Sequence, residues 1–105
     1  MPPPTGRLAP TPSGFLHLGN ARSFLLAWLW ARSAGGRVIM RVEDIDLPRC
    51  RPMFRRQALS DLLWLGLDWD AGPRPDDLPG PFDQSTRFEQ YRLALDRLVQ
   101  AGRAY

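Results

Sequence analysis

The spacing of apolar positions changes several times along the chain, and each change marks an element. From Asn20 to about Ala34, Phe24, Leu25, Trp28 and Leu29 recur at intervals of three and four, which predicts an amphipathic helix. Asn20 suits its N-cap and Gly35-Gly36 its C-terminal stop. The apolar face is wide, so the helix is expected to be largely covered. Arg37 to Asp44 follows with Val38, Ile39, Met40 and Val42 nearly continuous, the pattern of a parallel strand buried on both faces. Upstream, Gly6-Arg7-Leu8-Ala9 is a short strand candidate bounded by Pro10, and residues 1–5 read as a flexible arm. Strand, helix and second strand make a βαβ unit with parallel strands, so the fold class is α/β.

Two more helices follow. Pro52 to Leu65 turns Phe54, Ala58, Leu59, Leu62 and Leu63 inward, with Pro52 in its first turn and Gly66 at its end. Residues Asp70 to Asp83 are rich in proline, glycine and aspartate and read as a surface loop. Thr86 and Glu89 have the spacing of a capping box for a last helix, striped by Phe88, Tyr91, Leu95 and Leu98 and stopped near Gly102.

The stretch Pro10-Thr11-Pro12-Ser13-Gly14-Phe15-Leu16-His17-Leu18-Gly19-Asn20 lies between the first strand and the first helix. Its prolines and glycines resist regular structure and let backbone approach a ligand closely. The helix start beyond it carries unpaired N–H groups and the positive end of the dipole, a seat for phosphate. His17 is the only histidine of the chain. A lone histidine is more often packing than chemistry, but a Gly/Pro loop at a helix N-terminus favours a ligand-facing role. At the end of the second strand stand Glu43, Asp44 and Asp46, where open α/β sheets bind ligands. Those acids serve either as turn formers and caps or as ligand groups. Glu43 can hold an ammonium and Arg7 a carboxylate; an internal Arg7–Glu43 salt bridge is the competing structural reading. A metal site built from the three acids is weaker, because His17 belongs to a separate motif.

Composition narrows the class. The chain has 105 residues, 44% hydrophobic and 24% charged, which describes one small globular domain and not a disordered segment. No apolar run approaches the roughly 20 residues that a membrane span needs, and Met1-Pro2-Pro3-Pro4 does not open a signal peptide. A cytoplasmic location is expected. One cysteine, Cys50, excludes an internal disulfide and makes no zinc site by itself. The net charge is +3 and every basic residue is arginine, which allows a nucleic-acid partner without demanding one.

Arg7-Leu8-Ala9-Pro10-Thr11-Pro12-Ser13-Gly14 followed by His17-Leu18-Gly19-Asn20 resembles the first signature of class I aminoacyl-tRNA synthetases, in their glutamyl branch. Arg41-Val42-Glu43-Asp44-Ile45-Asp46 resembles that branch's Arg-Ile-Glu-Asp block, and Trp64 to Pro73 and Gln84-Ser85 match in order and spacing. Departures are Thr11 for serine, Asn20 at a variable position and Thr86 for glutamate. Glu43-Asp44-Ile45-Asp46-Leu47-Pro48-Arg49 is more similar to the shorter glutamyl-queuosine tRNA(Asp) synthetases than to ordinary glutamyl-tRNA synthetases, which typically carry threonine at the Ile45 position.

The resemblance implies that residues 6–105 are the N-terminal portion of a Rossmann-like catalytic domain with an incomplete sheet. It implies that Arg7, Ala9, Thr11 and Glu43 bind glutamate, and that Pro10, His17, Gly19 and Asn20 bind ATP, with His17 and Gly19 acting in catalysis. The implied reaction is attack of the glutamate carboxylate on the α-phosphorus of ATP, with magnesium, and transfer of the glutamyl group to tRNA. Zinc belongs to complete relatives and is not supported by these residues. The chain contains no lysine, so the lysine-bearing second signature of class I enzymes is missing from it. The chain alone is therefore expected to be inactive and, with sheet edge and helix faces uncovered, loosely packed or self-associating. Two other function classes compete: a non-catalytic remnant that binds ATP or glutamate, and a nucleotidyltransferase with a similar histidine–glycine loop. The latter would not need the Glu43 block.

Overall fold

A computed structural model describes residues 1–105. The elements are β1 (Thr5–Leu8), α1 (Leu18–Ser33), β2 (Arg37–Met40), α2 (Pro52–Trp64), a 3-10 turn (Gln84–Arg87) and α3 (Phe88–Gln100). β1 and β2 pair in parallel, Thr5 opposite Arg37 and Leu8 opposite Met40, so the βαβ reading holds. β1 starts at Thr5, inside the stretch read as an arm, because the Arg37 N–H reaches the Pro4 carbonyl at 3.1 Å. Gly6 allows α1 to lie on the sheet: a Cβ there would come within 2.8 Å of the Ala31 Cβ.

One face of the sheet makes the core. Leu8, Val38, Met40 and Val42 pack with Ala31, Leu59, Leu62, Leu67 and Trp69. The expectation that β2 is buried on both faces is corrected, since burial alternates along it: Val38 and Met40 are buried, whereas Arg37 is exposed and Ile39 half-buried. That second face is approached by Phe82, Arg87 and Tyr91, across an open hollow beside Ile39. Coverage of α1 is corrected as well: Ala31 is its only buried residue, and Trp30 is 79% exposed. No residue of α3 is buried.

β2 is shorter than its apolar run, yet its path stays extended past Met40. Arg41 and Glu43 donate to the Leu8 and Pro10 carbonyls, at 2.8 and 2.9 Å. On the other edge, Met40 N–H donates to Ala71 O at 2.8 Å and Val42 N–H to Phe82 O at 2.9 Å. The stretch read as a surface loop thus completes the second edge of β2 with its two ends. Asp83, at its close, is fully buried against Arg55 of α2, Nε to Oδ1 at 2.7 Å. The expected Thr86–Glu89 capping box does not form. Thr86 Oγ1 instead donates to the Gly80 and Asp83 carbonyls, both at 2.9 Å, and Glu89 pairs with Arg92 at 2.7 Å.

Asp70 performs a similar edge function on the surface. Its Oδ2 accepts from the Val38 N–H and from Arg32, each at 2.7 Å. The Val38 hydrogen bond first, and Arg32 second, hold its carboxyl below the ordinary aspartate range.

Asp83→Ala is expected to cost about 3–5 kcal/mol, because it strands a buried guanidinium. Urea denaturation reads this loss, and a change below about 1 kcal/mol would contradict it. A depressed folded pKa at Asp70 means stability present above the unfolded value and lost as pH falls through the folded one. Asp70→Asn is expected to flatten the decline of the melting temperature below about pH 4.

Candidate nucleotide and amino-acid site

The loop after β1 is held by its carbonyls. Pro10 and Pro12 are buried and have no N–H to satisfy, and their oxygens accept from Glu43 N–H at 2.9 Å and Arg51 N–H at 3.2 Å. At its far side, Phe15 packs edge-on against Phe54 of α2, ring centroids 5.0 Å apart. The loop is thus fastened to the end of β2 and to α2; Leu16 packs against the core, whereas Thr11, Ser13 and His17 are exposed.

His17 is itself the N-cap of α1, which corrects the placement of the cap at Asn20. Asn20 lies in the first turn, and its Oδ1 accepts from the His17 N–H at 3.0 Å. In return His17 Nδ1 accepts from the Gly19 N–H at 3.1 Å. With Nδ1 committed as acceptor, the proton of the neutral ring sits on Nε2. The exposed imidazole therefore offers one N–H donor at the positive end of α1. Gly19 matters to this arrangement directly: a Cβ there would meet the His17 Nδ1 and Cε1 at 3.0 Å.

Ala9, Pro10, Thr11, His17 and Asn20 line one groove of about 290 Å3 beside Phe24. Those five residues come together as the motif suggested. Arg7 does not join them. It is exposed and lines a separate hollow of about 410 Å3 with Ile39, Arg41, Phe82, Arg87 and Tyr91. Arg41 donates to the Tyr91 hydroxyl at 3.0 Å. No ion pair forms between Arg7 and Glu43, so the internal salt bridge is absent. Glu43 lines neither hollow, and its link to the groove is the backbone bond to Pro10.

The two adjacent acids separate in role. Asp44 is buried, its Oδ1 and Oδ2 accepting from the Ser85 N–H at 2.8 Å and hydroxyl at 2.6 Å. The half-buried Glu43 makes no side-chain hydrogen bond. Asp46 meets only Arg49, at 3.5 Å. No group of three or more histidine, cysteine or acidic side chains is arranged to hold a metal ion. Burial first, and then the charges of Asp44 and Asp46, push the Cys50 thiol up, which leaves it a poor nucleophile. Sequence reasoning missed Asp83 and the Asp44–Ser85 tie. The only available signal was the polar cluster Asp83-Gln84-Ser85 following a proline-rich loop.

The family described as class I tRNA synthetases (E and Q), catalytic domain, matches residues 5–105. A Glutamyl-Q tRNA(Asp) synthetase of Symbiobacterium thermophilum is 63% identical over 100 residues, 95% of this chain and 31% of that protein. A Glutamate–tRNA ligase 1 of Fervidobacterium nodosum is 46% identical over 99 residues, 94% of this chain and 21% of that protein. Among solved structures, a glutamate tRNA ligase from Elizabethkingia meningosepticum in complex with its amino acid superposes with a TM-score of 0.79 at 32% identity, over 94% of this chain and 20% of that one. The chain spans about a third of the first of these relatives and a fifth of the others. Matching motifs, parallel sheet and coverage agree, and the chain belongs to the class I aminoacyl-tRNA synthetases of the glutamate and glutamine group, as the N-terminal part of their catalytic domain.

Proposed function

We propose that this chain supplies part of the ATP and glutamate sites of a glutamyl-queuosine tRNA(Asp) synthetase, a cytoplasmic enzyme. The enzyme activates glutamate as glutamyl-adenylate and transfers it to the queuosine of tRNA(Asp). The observation that carries the reading is the Nε2–H donor of His17, held by Gly19 at the start of α1 beside the groove of Thr11 and Asn20. A donor aimed outward at a helix N-terminus suits charge building on a phosphoryl group. The higher identity to the Glutamyl-Q relative than to the Glutamate–tRNA ligase favours this acceptor over tRNA(Glu).

Each residue then has a task. Pro10, His17, Gly19 and Asn20 receive ATP. Ala9 and Thr11 line the neighbouring glutamate position, Glu43 holds the amino group and Arg7, from its separate hollow, pairs with a carboxylate of the substrate. Glutamate carboxylate oxygen attacks the α-phosphorus, the bond to pyrophosphate breaks, and His17 stabilises the charge on the phosphate. Magnesium would supply charge neutralisation along the ATP phosphates. The groove contains no carboxylate to hold the ion, so these residues fit the phosphates and not a resident metal.

The domain reading is an arm before β1 and one catalytic portion over the rest. The chain alone is proposed to be inactive and to self-associate, because Leu26, Trp30, Leu95 and Leu98 stand exposed on helix faces without cover.

ATP–pyrophosphate exchange tests the reading. The complete translation product containing these residues is expected to exchange with glutamate and without tRNA, and strict dependence on tRNA(Glu) would favour an ordinary glutamyl-tRNA synthetase. Arg7→Ala is expected to raise the KM for glutamate, a loss of roughly 2–5 kcal/mol. His17→Ala is expected to lower kcat about 100-fold or more. Gly19→Ala should lower kcat about tenfold by displacing the His17 ring. The 105-residue chain is expected to give concentration-dependent sedimentation and no exchange; a cooperative high-temperature melt of a clean monomer would contradict the first.

A further inference from the structure

Two adjacent carboxylates leave the second strand, and only one can face a ligand on a given side. Val42, Glu43 and Asp44 follow an extended path, with Glu43 bonded to Pro10 on one edge and Val42 to Phe82 and Gln84 on the other. Side chains alternate along such a path, so a slip of one residue would exchange Glu43 and Asp44. Backbone bonds alone do not distinguish the two acids. The Asp44 carboxylate does: it is buried, and both its oxygens are taken by Ser85, by the N–H at 2.8 Å and the hydroxyl at 2.6 Å. Ser85 is held in turn, because Gln84 N–H donates to Val42 O at 3.0 Å and Asp83 is locked to Arg55.

We infer that Asp44 and Ser85 are positioning residues that turn Glu43, and not its neighbour, toward the amino-acid substrate. The inference rests on the reading of Glu43 as the ammonium ligand. Asp44 contributes no contact to substrate; its work is to commit the register of the strand exit. Ser85 is the partner that makes this commitment specific, since it satisfies both carboxylate oxygens with one residue.

The test uses ATP–pyrophosphate exchange by the complete translation product, with the KM for glutamate and for ATP measured separately. Ser85→Ala, which deletes one of the two bonds, is expected to raise the glutamate KM about three- to tenfold with the ATP KM within about twofold. Asp44→Ala should raise it about 10- to 100-fold. Asp44→Asn keeps an acceptor for the Ser85 N–H and can donate to its hydroxyl, and should return the value to within about threefold of the parent. Glu43→Ala separates the two ideas. An unchanged glutamate KM in Glu43→Ala overturns the ligand reading and the inference with it. A raised value there, with Ser85→Ala and Asp44→Ala unchanged, overturns the positioning inference alone. Glutamate and ATP KM values rising together, in step with a lowered Tm, would also overturn it by showing a merely structural tie. Should Asp44→Ala fail to fold, Ser85→Ala against Asp44→Asn decides.

Discussion

The buried pair of Arg55 and Asp83 is the constraint on which the rest of this structure depends. Arg55 lies on α2 and Asp83 at the end of a long proline-rich connection, 28 residues apart, and both are almost wholly withdrawn from water. Two charges in such a place are costly unless their hydrogen-bonding capacity is used. Here it is used fully on the acid: Nε and Nη2 of Arg55 meet its two oxygens at 2.7 and 3.2 Å, and the Gly80 N–H adds a third bond at 2.9 Å. Nη1 of the arginine takes the Asp77 carbonyl at 2.7 Å. The result is less a source of net stability than a fixed point, one that holds the proline-rich connection of residues 70–83 against the core.

From that fixed point the site follows in order. Asp83 sets Phe82 and Gln84 beside Val42, and Ser85 beside Asp44. The exit of β2 is thereby held, and Glu43 reaches Pro10 of the loop. The loop ends in the His17–Gly19–Asn20 cap, which chooses the tautomer of the one histidine. A polar network at one end of α2 thus holds the start of the loop, at Pro10, through backbone hydrogen bonds, with no side chain of the network lining the groove. Sites that must hold charge in a fixed geometry gain from such support, since each donor is oriented before the ligand arrives.

Much of this was legible from residues alone, for physical reasons. The period of α1 and the density of β2 place the βαβ unit, and Gly35, Gly66 and Gly102 end their helices with the positive φ that glycine allows. The Pro10 to Asn20 stretch was legible as an irregular loop before a helix because its prolines and glycines resist regular structure. Helix starts were less clear. Histidine is a rare cap, so the pattern pointed to Asn20 where the chain uses His17, and Thr86 had the spacing of a cap but spends its hydroxyl on Gly80 and Asp83.

The sequence by itself determined the local elements, the irregular loop before α1 and the family, because periodicity, turn residues and ordered motifs are properties of neighbours along the chain. Only the tertiary structure decided that Asp83 is buried, that Asp44 turns inward to Ser85 while Glu43 does not, and that Arg7 lines a different hollow from His17. The two carboxylate outcomes depend on partners 28 and 41 residues away, and the partner chosen by a carboxylate is set by which donors the fold brings within hydrogen-bond distance of it. Nothing in a run such as Glu43-Asp44-Ile45-Asp46 tells one acid from the next until that geometry exists.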